Sequence, residues 1–195
     1  RQKWIACSRA AISGIATHTR RFVDAVAGTG AAILDTRKTT PGWRHLEKYA
    51  VRCGGGRNHR MGLHDAIMIK DNHLASFPPE RIAPAVHQML NRAGALQPPP
   101  SFVEVEADKL AQAERLFDVV GVNVIMLDNF APADLRRAVA LRDERNLRDK
   151  VKLEASGGIT LATVREVAET GVDYISVGAL THSSVALDLA LDHVK

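Results

Sequence analysis

The sequence predicts an α/β fold, a TIM-like βα-barrel of six or seven parallel strands with irregular closure. Three observations carry that prediction. From Ala31 onward, short aliphatic or β-branched runs alternate with longer stretches of helical periodicity. Each short run is apolar almost throughout, which marks strands covered on both faces by helices, as in a parallel sheet. Each run then ends in charge, polarity or glycine: Asp35-Thr36-Arg37-Lys38, Lys70-Asp71-Asn72, Glu104-Val105-Glu106, Asp128-Asn129, Glu154-Ala155-Ser156-Gly157-Gly158 and Gly178. A βα-barrel collects its functional groups on that C-terminal face. An open doubly wound sheet gathers them from two or three strands at one switch point, so six contributing ends favour closure.

The elements follow in order. From Trp4 to Ala27, apolar residues at helical spacing (Trp4, Ile5, Ala11, Ile12, Ile15, Ala16, Phe22, Val23, Val26) predict one long amphipathic helix that stops near Gly28–Gly30. Residues 1–30 therefore form a helical lead into a barrel domain of residues 31–195. Its predicted strands are Ala31–Leu34, Ala66–Ile69, Phe102–Val105, Val124–Leu127, Val151–Leu153 and Tyr174–Val177. The predicted helices between and after them are Pro79–Ala93, Lys109–Val120, Ala133–Asn146, Leu161–Glu169 and a terminal Ser184–His193. Leu96–Ser101, with Pro98-Pro99-Pro100, suits neither helix nor central strand and reads as a stiff connector into a strand.

Composition narrows the class. With 195 residues and 46% apolar content, the chain can bury one substantial core. Asp35 to His73 holds eight Lys/Arg against four Asp/Glu, a local surplus of +4 that equals the net charge of the whole chain. Basicity is thus concentrated in a site, whereas a nucleic-acid binder spreads it along a face or tail. Only Cys7 and Cys53 occur, too few and too distant for a disulfide framework, and Cys53 is expected to be a packed thiol. The longest apolar runs, such as Val122–Leu127 and Ile175–Leu180, fall far short of the roughly 20 residues a membrane span needs. No signal-peptide pattern opens the sequence, and a cytoplasmic location is expected.

The chemistry concentrates at the strand ends. Arg37 and Lys38 follow the first strand; Arg60 and Lys70 are expected in the same mouth. Ser156-Gly157-Gly158 lies between a strand and a helix, where backbone N–H groups converge on an anion without Cβ interference. Val177-Gly178-Ala179 closes the next strand in the same way, and paired turns of this kind are the usual phosphate position of βα-barrels. Glu106 and Asp128 project into this mouth as Mg²⁺ ligands, ribose-hydroxyl acceptors or counter-ions to Arg37 and Lys70. His59, His64 and His73 lack the spacing and the cysteine partners of a zinc site, and His59 reads as a donor to an anionic substrate beside Arg60. Several cations with two glycine cradles imply a ligand carrying phosphate at one end and carboxylates at the other, since guanidinium matches carboxylate and lysine suits phosphate.

Taken together, these residues resemble a known family. Asp35-Thr36-Arg37-Lys38-Thr39-Thr40-Pro41-Gly42, Glu47-Lys48-Tyr49-Ala50-Val51, Gly54-Gly55-Gly56, Asn58-His59-Arg60, Ile69-Lys70-Asp71-Asn72-His73, Leu127-Asp128-Asn129, Glu154-Ala155-Ser156-Gly157-Gly158-Ile159-Thr160 and Val177-Gly178-Ala179-Leu180-Thr181-His182 are similar to quinolinate phosphoribosyltransferase, the carboxylating nicotinate-nucleotide pyrophosphorylase. The resemblance implies phosphoribosyl transfer from phosphoribosyl pyrophosphate to quinolinate with Mg²⁺, giving nicotinate mononucleotide, diphosphate and CO₂ for de novo NAD biosynthesis. It implies that Thr36, Arg37, His59 and Arg60 hold quinolinate and that Lys38 and Lys70 stand between quinolinate and diphosphate. Glu106 and Asp128 would face ribose and metal, while Ser156, Gly157, Gly158, Val177, Gly178, Ala179 and His182 would receive the 5′-phosphate. Lys38, Lys70, Glu106 and Asp128 are then the catalytic set. The family's opening Glu-Arg-Thr…Asn reads Gln2-Lys3-Trp4…Cys7 here, so Lys3 stands where an arginine touches substrate.

The family also carries an N-terminal α/β domain of roughly a hundred residues, which this chain lacks in large part. There it covers the barrel of a neighbouring subunit, so residues 1–30 read as the remnant of that junction, and a homodimer or higher even assembly is expected. Two other readings remain at this point. One is a barrel that binds phosphorylated ligands or a partner without turnover. The other is a related transferase for a different aromatic acid, against which the pair Arg37 and Arg60 argues, because two guanidinia suit a dicarboxylate.

Overall fold

A computed structural model describes residues 2–94 and 96–189, with side chains from Ser8 onward. Helix α1 (Gln2–Ala25) leads into β1 (Ala32–Leu34), α2 (Arg44–Cys53), β2 (Ile67–Ile69), α3 (Asp71–Leu74) and α4 (Pro79–Ala93). Then come β3 (Val103–Ala107), α5 (Leu110–Leu116), β4 (Val124–Asp128), α6 (Pro132–Glu144), β5 (Lys152–Ser156), α7 (Val164–Ala168), β6 (Tyr174–Ser176) and α8 (Ala179–His182). Proline at the first position of α4 and of α6 starts each helix where its missing N–H is not needed.

All six strands are parallel, in the order β1-β6-β5-β4-β3-β2. Neighbours from β2 to β6 are sequential, and β1 pairs with β6, so the first strand lies beside the last. In an open sheet the β1-to-β2 connection would have to cross every strand; wrapping the sheet into a cylinder makes it local. The seam falls between β1 and β2. Arg57 fills it with a single parallel bridge to Leu34, its N–H donating to Ile33 O (2.8 Å) and its carbonyl accepting from Asp35 N (3.1 Å). Six strands fall within the six or seven expected from the sequence, and this single bridge is the irregular part of the closure.

Every residue of β3 is buried, and Val105, Ile125, Leu127, Leu153 and Ile175 are fully enclosed, so the core lies between the sheet and the helices around it. Helix α1 packs on α2, α7, α8 and β1, with Ile15 and Phe22 turned inward and Val26, just after the helix, buried beside them. No helix of the described residues is long and apolar enough to cross a membrane.

Two expectations are corrected. Residues 184–189 of the expected terminal helix Ser184–His193 are not helical: Leu187 N donates to Ala10 O (3.0 Å) on α1 instead of to its own preceding turn. The remainder, 190–193, lies outside the described residues. Cys53 is exposed and free, because α2 buries Glu47, Lys48, Ala50 and Val51 and turns its last residue outward.

Candidate active site

The C-terminal strand ends converge on one cavity of about 440 Å³. Thr36, Arg37, Lys38, His59, Arg60, Lys70, Glu106, Asp128 and Ser156, all expected from the sequence, line it; Met68, Met126, Glu154 and Ser176 line it as well. The side chain of Lys3 lies outside the described residues.

The segment bearing Arg60 is fixed by a buried ion pair. Asp35, at the end of β1, pairs with Lys48 of α2 and accepts from Asn58 Nδ2 (2.5 Å) and His59 N (2.9 Å). Lys48 Nζ also donates to His59 O (3.0 Å), and Asn58 Nδ2 to Lys48 O (2.9 Å). Burial raises the Asp35 carboxyl and lowers the Lys48 ammonium, and the pairing between them opposes both shifts.

Two guanidinia then face the mouth. Arg60 is buried and gives one nitrogen to Ala66 O (3.1 Å) and another to Met68 Sδ (3.4 Å); its Nε and that of Arg37 are buried without a partner. Neither forms an ion pair among the described residues. Burial, then the charge of Arg37, lowers the Arg60 pKa, so an arriving dianion relieves a standing repulsion. Lys70, 44% exposed, pairs with Glu106 at 2.7 Å.

The turns expected from the sequence to receive phosphate follow β5 and β6. Gly157 has φ of +95° and Gly158 +60°, conformations that disfavour any Cβ. A Cβ on Gly178 would sit 3.1 Å from His182 Nε2 and 3.4 Å from Lys38 Cδ, so those side chains close the same corner. The amides of Gly157, Gly158, Gly178 and Ala179 find no backbone acceptor among the described residues. The Val177 amide differs, donating to Leu34 O (3.0 Å) in the sheet, so this residue contributes spacing rather than a donor.

Glu106 can share a cation with Asp71 and Asp108, whose oxygens lie within 4.8 Å of it and of one another; Asp128 is instead held by Asn129 Nδ2 (2.7 Å). These hard oxygen donors fit Mg²⁺.

Sequence reasoning missed the centre of the barrel. His59 Nε2 lies 2.8 Å from Glu104 Oε2 and 3.5 Å from Glu154 Oε2, while its Nδ1 accepts from Arg60 N (2.7 Å). That contact puts the ring proton on Nε2, between the carboxyls, and so argues against a metal there. With both nitrogens engaged, His59 borders the cavity by its ring rather than by a free donor. The signal was present: Glu104 and Glu106, two apart on β3, must share one face of a strand whose other positions are aliphatic.

Burial pushes the Glu104 carboxyl up to about 8 and, together with the neighbouring Glu104, pushes Glu154 up to about 8. The pair therefore holds at least one proton at neutral pH. Their unfolded value is near 4.5, so between about pH 4.5 and 8 the folded chain keeps protons that the unfolded chain has released, and stability falls as pH rises through that window. Glu104→Gln removes the penalty. Measured by thermal melts at pH 5 and pH 9, its Tm relative to the parent will rise by a few degrees toward alkaline pH, at roughly 2–4 °C per kcal/mol.

Residues 15–192 match the family model described as quinolinate phosphoribosyl transferase, C-terminal domain. Nicotinate-nucleotide pyrophosphorylase [carboxylating] of Mycobacterium leprae is 49% identical over 181 residues, 93% of this chain and 60% of that protein. Among solved structures, nicotinate-nucleotide pyrophosphorylase of Ehrlichia chaffeensis superposes with a TM-score of 0.84 at 38% identity, covering 98% of this chain and 65% of the other. NadC from Streptococcus pyogenes gives 0.81 at 40% identity, covering 95% and 61%. The chain thus spans about 60% of the length of the relatives it matches.

Proposed function

Because this chain belongs to the quinolinate phosphoribosyltransferase family, we propose that its barrel transfers phosphoribosyl from phosphoribosyl pyrophosphate to the ring nitrogen of quinolinate, with loss of CO₂ to give nicotinate mononucleotide. One observation carries the reading. Two guanidinia without ionic partners among the described residues, Arg37 and Arg60, share a cavity with Ser156, the first residue of the Ser156-Gly157-Gly158 turn. This pairing of cations with a glycine turn in one mouth supports a ligand carrying carboxylates at one end and phosphate at the other.

The reaction follows from placement and charge. Arg37 and Arg60 hold the two carboxylates and present the ring nitrogen, and the open amides with Ser156 and His182 hold the 5′-phosphate. Lys38 and Lys70 lie beside the departing diphosphate as fixed positive charges. Glu106 holds Lys70 in place, and Asp128 offers an acceptor for ribose hydroxyls. Mg²⁺, when bound by Glu106 with Asp71 and Asp108, supplies charge neutralisation for the diphosphate. After transfer, the positive ring nitrogen stabilises the electron pair that stays on the adjacent ring carbon when its carboxylate departs as CO₂.

A homodimer or higher even assembly belongs to this reading, as closed even symmetry is the commonest for soluble homo-oligomers. So does a cytoplasmic location, which suits an exposed free thiol at Cys53.

Calorimetric titration with quinolinate, followed by an assay for nicotinate mononucleotide, tests the proposal; failure to bind quinolinate overturns it, and binding without turnover leaves a receptor alone. Arg37→Ala will weaken quinolinate binding by about 1.5–3 kcal/mol, the loss of one charged hydrogen-bonding group. Unchanged affinity in the same titration would remove Arg37 from the carboxylate site.

A further inference from the structure

His59 and Glu154 border two cavities at once. Besides the mouth of about 440 Å³, a second cavity of about 370 Å³ lies toward the N-terminal ends of the strands, among Phe102, Asn123, Lys152 and Tyr174. These two side chains are the ones common to both linings, so they form the partition between the cavities. Glu154 is 1% exposed, and no lysine or arginine pairs with it among the described residues. Its Oε1 is buried without a hydrogen-bond partner, and its Oε2 lies 3.5 Å from the protonated Nε2 of His59. Around it stand Glu104 from β3, His59 from the bridging segment and Ser176 from β6. Arg60, Lys70 and Glu106 border the same mouth farther along the wall.

We propose that Glu154 is the acid that protonates the ring carbon from which CO₂ departs, and that it is recharged through the lower cavity. The inference rests on the phosphoribosyl-transfer reading above. The bond between ring carbon and carboxylate breaks, its electron pair stays on the carbon beside the positive ring nitrogen, and CO₂ leaves. That pair takes the proton of the Glu154 carboxyl, forming C–H and leaving a carboxylate. A water proton from the lower cavity restores the acid. Other groups in the mouth are less suited: arginine does not give up a proton near neutrality, Lys70 is held against Glu106, and Lys38 packs toward Gly178 at the phosphate end. Burial first, then the neighbouring Glu104, pushes the Glu154 carboxyl up to about 8, which keeps a proton available at neutral pH.

Two measurements test this. Carbon NMR of the protein labelled at glutamate carboxyls will show Glu154, assigned by its loss in Glu154→Gln, still protonated at pH 7; a signal titrating near 4.5 overturns the donor role whether or not the chain turns over. In the enzymatic assay, Glu154→Gln will bind quinolinate as the parent does but form nicotinate mononucleotide about a hundredfold more slowly or worse. Parent activity should fall as pH rises through about 8. A variant within threefold of the parent overturns the proposal and leaves the transferase reading intact. A parent that binds quinolinate but releases no diphosphate overturns the transferase reading, and the donor role with it.

Discussion

Lys48→Met will destabilise this chain by about 3–5 kcal/mol, the cost of stranding one member of a buried ion pair. The side chains of Lys48 and Asp35 are 1% and 0% exposed, so once the ammonium is gone water cannot easily solvate the remaining carboxylate. Asn58 Nδ2 and His59 N still donate to it, at 2.5 and 2.9 Å, but neither carries charge. The carbonyl of His59 loses the Lys48 donor at the same time. Urea denaturation followed by circular dichroism measures the effect as a lower midpoint at unchanged slope. Combining Lys48→Met with Asp35→Asn will recover a large part of the loss, because the orphaned charge is removed. A loss below about 1 kcal/mol would mean the pair behaves as if it were solvent-exposed. The consequence reaches the site, because the same contacts hold the segment that carries Arg60.

Gly157→Ala is the second large effect, expected to cost about 2–5 kcal/mol from backbone strain and steric overlap together. A Cβ at this position would stand 2.1 Å from Asn129 Oδ1 and 2.9 Å from Asn129 N. The backbone at φ of +95° also disfavours any side chain. Asn129 has little room to retreat: it is itself at φ of 55°, its amide donates to Ser156 O (2.8 Å), and its side chain holds Asp128. Forcing the two apart disturbs the cradle and the Asp128 carboxylate together. Phosphoribosyl pyrophosphate affinity, read by calorimetry, will fall in the variant beside a drop in Tm, whereas Gly158→Ala, with open space around its Cβ position, will be milder. Equal losses at the two glycines would show that steric overlap is not the cause.

Strand positions were legible because each core strand is a short aliphatic run, and α4 was legible to its ends because Pro79 starts it and Gly94 follows it. Pairing of β1 with β6 could be argued only indirectly, from polar ends on all six strands, since no local pattern encodes which strands meet. Helix α2 was missed as an element: its buried face includes Glu47 and Lys48, which break the apolar stripe that periodicity detects. The terminal segment was misread because a tertiary contact, Leu187 N to Ala10 O, replaces the helical turn, and Cys53 because the unrecognised helix α2 turns it outward. In the site, cationic and glycine residues stood out by type. Glu104 and Glu154 did not, because at strand ends they read as polar punctuation, while their position inside the barrel depends on closure.

The cylinder carries a longitudinal slit where β1 and β2 fail to meet. Elsewhere neighbouring staves are laced by ladders, but here the guanidinium of Arg60 reaches from the Arg57 bridge to Ala66 and Met68, serving as a side-chain rung. One arginine thus serves both as an anion receptor facing the mouth and as a tie across the slit.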